Sequence, residues 1–217
     1  VTEQLRVEEM RRDFVANTSH ELKTPVGAVS LLAEAIDAAA DDPVQVRKFT
    51  ARLSAEAQRL AGLTSRIMDL SRVQAADELT TAGPVSIDEV VAASLEAHAV
   101  QAESAEVELV RGGQRAAQVV GDVQMLTEAV SNLIANAIAY SPVGAHVGVG
   151  VRTIDGIVEI AVTDQGIGIA EADQQRIFER FYRADQARSR RTGGTGLGLA
   201  IVKHVAQRHD GEVRVWS

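Results

Sequence analysis

The sequence predicts an α+β chain: a helical hairpin that pairs with a copy of itself into a dimeric four-helix bundle, followed by an α/β sandwich. Three observations carry this. Apolar residues recur every seven positions between Val15 and Leu70, a small and polar stretch at 75–84 interrupts them, and beyond it short strands alternate with amphipathic helices. With 217 residues the chain buries about 70% of its unfolded surface on folding, enough to dispense with disulfides. It has no Cys with which to form them.

Val15, Leu22, Val29 and Ile36 form one seam of the first helix, and Thr18, Pro25, Leu32 and Ala39 its companion. "AADDPVQ" (39–45) breaks the pattern, with Asp41 or Asp42 as the N-cap and Pro43 in the first turn of a second helix. That helix repeats the seams through Val46, Leu53, Leu60 and Ile67 and through Phe49, Leu63 and Leu70. Two helices with such narrow apolar seams bury little in one copy, which predicts a homodimer. The domains are expected at 1–78 and 83–217.

In the second domain the patterns predict a helix at 87–103, strands at 106–111 and 117–120, and a helix at 123–140. Strands at 145–153 and 157–163 follow, joined by the turn "DG", then a helix at 197–209 and a last strand, "GEVRVW". Strands with helices on one face make an α+β sandwich. The formal charge of −8 without a dense basic stripe argues against a nucleic-acid partner. No apolar run approaches the 18 residues of a membrane span, so no membrane contact is expected of this segment.

If Val15 and Leu22 are both a positions, His20 occupies f and points away from the seam. Thr24 and Lys23 lie on its face of the helix at i+4 and i+3, and Glu21 is its neighbour. A lone histidine is more often a satisfied surface residue. An exposed neutral imidazole beside a carboxylate is also a nucleophile suited to accepting a phosphoryl group. Pro25, five residues on, removes the amide that would bond the carbonyl of residue 21 and allows a bend there.

The second half offers phosphate chemistry. "DQGIG", Asp164 to Gly168, ends a strand with a carboxylate and two glycines, the arrangement of an ordinary turn or of a backbone that approaches a ligand closely. "GGTGLGLAIVKH" (193–204) leads a glycine-rich loop into an apolar helix, an anion site made of backbone amides. It lacks the Lys-Ser/Thr of a Walker A loop and the later acidic residue of a dinucleotide fingerprint. Asn132 and Asn136, one helical turn apart, share a face with Glu128 and Tyr140; it reads either as a polar helix face or as amide oxygens suited to Mg2+ held together with phosphates.

In this order the motifs resemble those of the sensor histidine kinases of two-component signalling, over nearly the whole chain. "SHELKTP" resembles the H box, "NLIANAIAYS" the N box, "DQGIG" the G1 box, "FERFYR" (178–183) the F box and "GTGLGL" the G2 box. "RRDFVANTSHELKTPVGA" and "ARSRRTGGTGLGLAIVKHVA" are more narrowly similar to actinobacterial phosphate-responsive members. The resemblance implies a dimerisation and histidine-phosphotransfer domain, then a Bergerat-type ATP-binding domain using ATP and Mg2+. It implies that His20 is the phosphoacceptor, that Glu21 holds its imidazole, and that Thr24 orients water when the domain dephosphorylates its partner.

By the same resemblance Asp164 bonds the adenine amino group and Gly166 and Gly168 shape its pocket. Asn136, supported by Asn132, binds Mg2+, and Tyr140 packs on the nucleotide. The lid from 183 to 195 offers arginines such as Arg188 to the phosphates, with the one that reaches them left open, and Gly194, Thr195, Gly196, Leu197 and Gly198 cradle them. The implied partners are a second copy of the chain and a response-regulator receiver domain, and the implied setting is the cytoplasmic portion of a cell-membrane sensor. Two departures stand out. Ala139 replaces the Lys usual before the N-box aromatic, and the family's strand after "GEVRVW" is missing, so the sequence reads as a trimmed fragment. They keep open a catalytically weak scaffold or phosphatase that binds nucleotide and regulator. A stand-alone ATPase or serine kinase would leave the His-Glu-x-x-Thr face unexplained.

Overall fold

The computed structural model describes residue 19 and residues 22–75, 82–184 and 196–217, with side chains left aside over 65–75. It divides into two compact units, Val1–Ser71 and Arg72–Ser217.

In the first unit, helix α1 runs through residues 22–38 and helix α2 spans Pro43–Ala75. Asp42, rather than Asp41, caps α2: its Oδ1 accepts the amides of Val44 and Gln45 at 3.0 and 3.1 Å, with Pro43 in the first turn where no N–H is needed. Burial follows the heptads. Leu22, Val29, Leu32 and Ile36 on α1 and Val46, Phe49, Leu53 and Leu60 on α2 are half-buried, while Pro25 and Leu63 are buried. Among the described residues no helix is long and apolar enough to cross a membrane.

The second unit opens with a strand the sequence patterns did not signal, β1 (Gly83–Ser86). Its four residues pair antiparallel with β3 (Gln118–Gly121), too short a run to show alternation. Helix α3 (Ile87–Ser104) is capped by Ser86, whose hydroxyl accepts the Glu89 amide, and carries Asp88 and Glu89 in its first turn. Strand β2 (Glu108–Gly113) begins two residues later than expected, because the chain first closes the helix. Glu106 takes a left-handed φ of 54°, and the amides of Glu106 and Val107 return to the carbonyls of Glu103 and Ala102.

Helix α4 (Val123–Tyr140), strand β4 (His146–Ile154) and strand β5 (Ile157–Thr163) lie where the patterns put them. The sheet order is β2-β4-β5, parallel then antiparallel. Along β4, Val147, Val149 and Val151 are buried and alternate with Gly148 and Gly150. The valines meet Val90 and Val91 of α3 and Val130, Ile134 and Ile138 of α4 in one core cluster. Two short elements follow, α5 (Glu171–Gln174) and a 3-10 turn (Arg176–Phe178), then helix α6 (Gly198–Arg208).

The expected strand at 211–216 is not formed: no ladder bonds mark residues 211–217. Its alternation survives as burial, with Val213 and Val215 half-buried and Glu212, Arg214 and Trp216 exposed. Period-two patterning registers which side chains are covered, not whether the backbone finds a partner.

Asp88 ties α3 to the turn after β2. Its carboxylate accepts the Ala116 amide at 2.7 Å and pairs with Arg111. The Ala116 amide above all, with Arg111 and Arg115 beside it, holds its carboxyl below the usual carboxylate range against a partial loss of solvent. A group with a depressed folded pKa stabilises the fold above its unfolded value, about 3.9, and that contribution fades as pH falls through the folded value. Thermal melts should therefore show a decline below about pH 4 that is shallower in Asp88→Asn than in the parent chain. In the core, Ile134 has no exposed surface. Truncating Ile134 to Ala should cost about 2–5 kcal/mol in denaturant unfolding.

Candidate functional site

The site grows from α4. Asp122 caps the helix, its Oδ1 accepting the amides of Gln124 and Met125 at 2.8 and 3.0 Å. With Ala129, Val130, Ile134, Ala137 and Ile138 turned into the core, the helical repeat leaves Glu128, Asn132, Asn136 and Tyr140 half-buried on an adjoining face. The Asn132 amide group donates from Nδ2 to the Glu128 carbonyl at 2.9 Å. Its Oδ1 then faces α6, where a Cβ on Gly198 would lie only 2.8 Å from it.

Helix α6 therefore begins directly against the first N-box asparagine. Leu197 ahead of it is fully buried, and Ala200, Ile201, Val202 and Val205 form its inward face. No side chain caps its N-terminus. Gly196 takes a φ of 70° and its carbonyl accepts the Phe181 amide at 2.8 Å. A Cβ on Gly196 would stand 2.7 Å from the Phe181 backbone, so the F box and the glycine-rich motif meet backbone to backbone at this glycine.

From the other side comes the loop after β5. Asp164 is exposed, and its Oδ1 accepts the Gly166 amide at 2.7 Å. Gly166 presses on the end of α4, where a Cβ would sit 2.9 Å from the Tyr140 carbonyl oxygen. Gly168 has a φ of 74°, and the next amide, of Ile169, donates to the Ser217 hydroxyl at 2.7 Å. At the F box, the Tyr182 hydroxyl donates to Asp173 at 2.5 Å and its ring carries the Arg176 guanidinium 4.2 Å from the centroid. The hydrogen bond to Asp173, then burial, raises the Tyr182 pKa. Burial lowers that of Arg180.

Of the residues singled out in the sequence, Asn132 and Asn136, Tyr140, Asp164, Gly166, Gly168, Gly196, Leu197 and Gly198 lie on α4 and on the two loops that meet it. Thr24 is exposed on α1, in the other unit. His20, Glu21, Arg188, Gly194 and Thr195 lie outside the described residues. The motifs assign nothing to Asp173, which accepts from the Tyr182 hydroxyl, or to Gly121 and His209, which meet between α4 and α6. A "GD" before α4 and an "HD" after α6 were their only signals, since contact across such sequence distance leaves no period.

Among the described residues no group of three His, Cys, Asp or Glu is arranged to hold a metal. The oxygen donors present are amides and single carboxylates beside glycines whose missing side chains leave a cradle, a set that fits a hard cation sharing its coordination with phosphates.

Residues 10–76 match the family described as His Kinase A (phospho-acceptor) domain. Residues 121–217 match the family of histidine kinase-, DNA gyrase B-, and HSP90-like ATPases. The chain is 52% identical over 216 residues to the sensor-like histidine kinase SenX3 of Mycolicibacterium smegmatis, covering 100% of this chain and 56% of that protein. It is 33% identical over 218 residues to the phosphate regulon sensor protein PhoR of Pseudomonas aeruginosa, covering 100% of this chain and 49% of that one. The chain thus spans about half the length of these relatives. Among solved structures, histidine kinase ThkA in complex with the response regulator protein TrrA superposes with a TM-score of 0.72. It covers 97% of this chain and 61% of that one at 17% identity, a likeness of fold alone.

The two glycines at the start of α6 should respond differently to substitution. In Gly196→Ala the left-handed φ and the backbone contact should cost about 2 kcal/mol or more, lowering the melting temperature. In Gly198→Ala the obstacle is the tip of the Asn132 side chain, so the melting temperature should stay within about 2 °C while binding at the site weakens.

Proposed function

This chain belongs to the sensor histidine kinases, and on that premise we propose that it is the catalytic core of an ATP-dependent protein-histidine kinase that phosphorylates His20 and passes the phosphoryl group to an aspartate of a response regulator. What carries this reading is the meeting of motifs remote in sequence: Gly198 and Gly166 close on α4, against Asn132 and Tyr140, and Gly196 closes on Phe181 of the F box. Each contact closes around a glycine, which leaves backbone amides and amide oxygens facing the space a triphosphate would need.

In this reading Asp164 accepts from the adenine amino group, with Gly166 and Gly168 allowing the base close to the backbone. Tyr140 packs on the nucleotide. Asn136 and Asn132 hold Mg2+, whose charge offsets that of the phosphates, and Gly194, Thr195, Gly196, Leu197 and Gly198 bind the phosphates through amides. Arg188 neutralises charge as the phosphoryl group moves. Glu21 orients the His20 imidazole and accepts its Nδ1 proton as His20 Nε2 bonds to the γ-phosphorus and the bond to the leaving ADP oxygen breaks. Thr24, exposed on α1, orients the water that removes phosphate from the regulator, so the same helix serves both directions.

The domains are taken as 1–78 for dimerisation and phosphotransfer and 83–217 for ATP binding. The family matches at 10–76 and 121–217 and the division after Ser71 support them. A homodimer is supported by the half-buried seams of α1 and α2. A regulator partner is supported by the fold shared with ThkA, captured with TrrA. We assign the chain to the cytoplasmic portion of a membrane sensor of the phosphate-responsive type, on its similarity to PhoR. Ala139, where a Lys is usual, is the observation that favours a second reading, a nucleotide-binding scaffold that mainly dephosphorylates its regulator.

Incubation with γ-labelled ATP and Mg2+ separates the two. Acid-labile, alkali-stable label on the parent chain and none on His20→Gln is the expected result. Binding of ATP without label would sink the kinase reading and leave the scaffold.

A further inference from the structure

We infer that His209 is a positioning residue for the nucleotide site: its imidazole fixes the axial register of α6 on α4 and so keeps Gly198 opposite Asn132. The inference rests on the reading of that site as a nucleotide site.

His209 lies just past the end of α6. Its Nδ1 meets the Val205 carbonyl at 2.8 Å, and its Nε2 accepts the Asp122 amide at 3.0 Å. A carbonyl only accepts and a backbone amide only donates, so the ring is neutral with its proton on Nδ1. Asp122 is also the N-cap of α4, its carboxylate engaged by the amides of Gln124 and Met125. One residue thus starts α4 and receives the end of α6.

The ring reaches Asp122 because residue 121 has no side chain. A Cβ on Gly121 would be 2.4 Å from the imidazole Cδ2 and 2.6 Å from Nε2. The glycine is buried and needs no unusual backbone conformation; its φ is one that alanine adopts.

Among the contacts between the two helices are His209 with Gly121 and Asp122 at one end and Gly198 with Asn132 at the other, so they run antiparallel. Ten residues separate Asp122 from Asn132 and eleven separate Gly198 from His209. At about 1.5 Å per residue the two spans are roughly 15 and 16 Å, equal to within one residue's rise. A clamp at the first contact therefore sets the alignment at the second. A slip of α6 by one residue would carry Gly198 about 1.5 Å along α4 and bring Leu197 or Leu199 toward the Asn132 amide. The opposite end of α6 has no side-chain cap and is tied through backbone, by the Gly196 carbonyl and the Phe181 amide.

The test uses the whole chain with His209→Ala, Gly121→Ala and their double variant, and the non-hydrolysable analogue AMPPNP with Mg2+ as probe, well below the melting temperature. Each single variant should weaken binding about tenfold, the factor that corresponds to roughly 1.4 kcal/mol of lost positioning. The double variant should bind no worse than His209→Ala alone, since without the ring a Cβ at 121 meets only the Leu126 Cδ1, at 3.3 Å, the free end of a flexible side chain. Wild-type affinity in His209→Ala, or losses that add in the double variant, would overturn the inference. Ring nitrogen spectra should show Nδ1 protonated and Nε2 bare, and the opposite tautomer would overturn it as well. If His209→Ala does not fold, Gly121→Ala, which keeps every hydrogen-bonding group, is judged by the same affinity loss. Should the parent chain not bind AMPPNP, the nucleotide reading fails instead. The register is then judged without ligand: the Asn132 side-chain amide resonance shifts in His209→Ala if His209 positions it, and an unmoved resonance rejects the inference.

Discussion

Helix α6 can approach α4 only as closely as two missing side chains permit, at Gly198 over Asn132 and at Gly121 under His209. The placing of the Asn132 amide against the start of α6 depends on that approach. With alanine at either place the facing group would have to move, and the facing groups are an amide oxygen and an imidazole rather than an inert methyl. The glycine-rich sequence before α6 is thus a set of steric permissions as well as a source of amides. Gly196 lets the chain double back onto Phe181, and Gly198 lets a helix start against an asparagine.

The sheet and the core make this approach repeatable. The valines of β4 hold α3 and α4 as one layer, and Ser94, buried on α3, donates to the Val90 carbonyl at 2.8 Å and reaches the Thr127 carbonyl of α4 at 3.2 Å. A hydroxyl with no exposure that finds acceptors on both helices fixes their spacing better than an alkyl group could. Asn132 repeats the device at the site, giving one amide hydrogen to the Glu128 carbonyl and so turning Oδ1 toward Gly198 at the start of α6. A group already oriented loses little freedom when a ligand arrives.

What could be read in the sequence was what recurs or punctuates. The heptads of α1 and α2 gave the half-buried seams, the alternation of Val147, Val149 and Val151 gave β4, and Asp42 before Pro43 marked the start of α2. The motifs on α4, at Asp164 and at Gly198 marked residues that come together. Strand β1 was invisible because four residues carry no usable period, and the start of β2 moved because Glu106 adopts a left-handed turn that no pattern demands. "GEVRVW" shows the converse failure, with strand-like burial and no ladder. The contact of His209 with Gly121 spans 88 positions, and only the packed helices reveal it.

Pro25 adds a link of another kind. Its ring is fully buried, while Val29 and Leu32 along the same seams are only half-covered. The residue that interrupts the backbone ladder is therefore also one of the most tightly enclosed side chains of α1. Bending at that turn cannot proceed as a soft solvent-side hinge would, because changing the angle also changes the surface that covers the ring. Backbone compliance and packing become a single coordinate at this point, so whatever rearranges the cover rearranges the turn that precedes it, five residues from the histidine. In mechanical terms the helix is stiffened by its surroundings where its own hydrogen bonds leave it weakest.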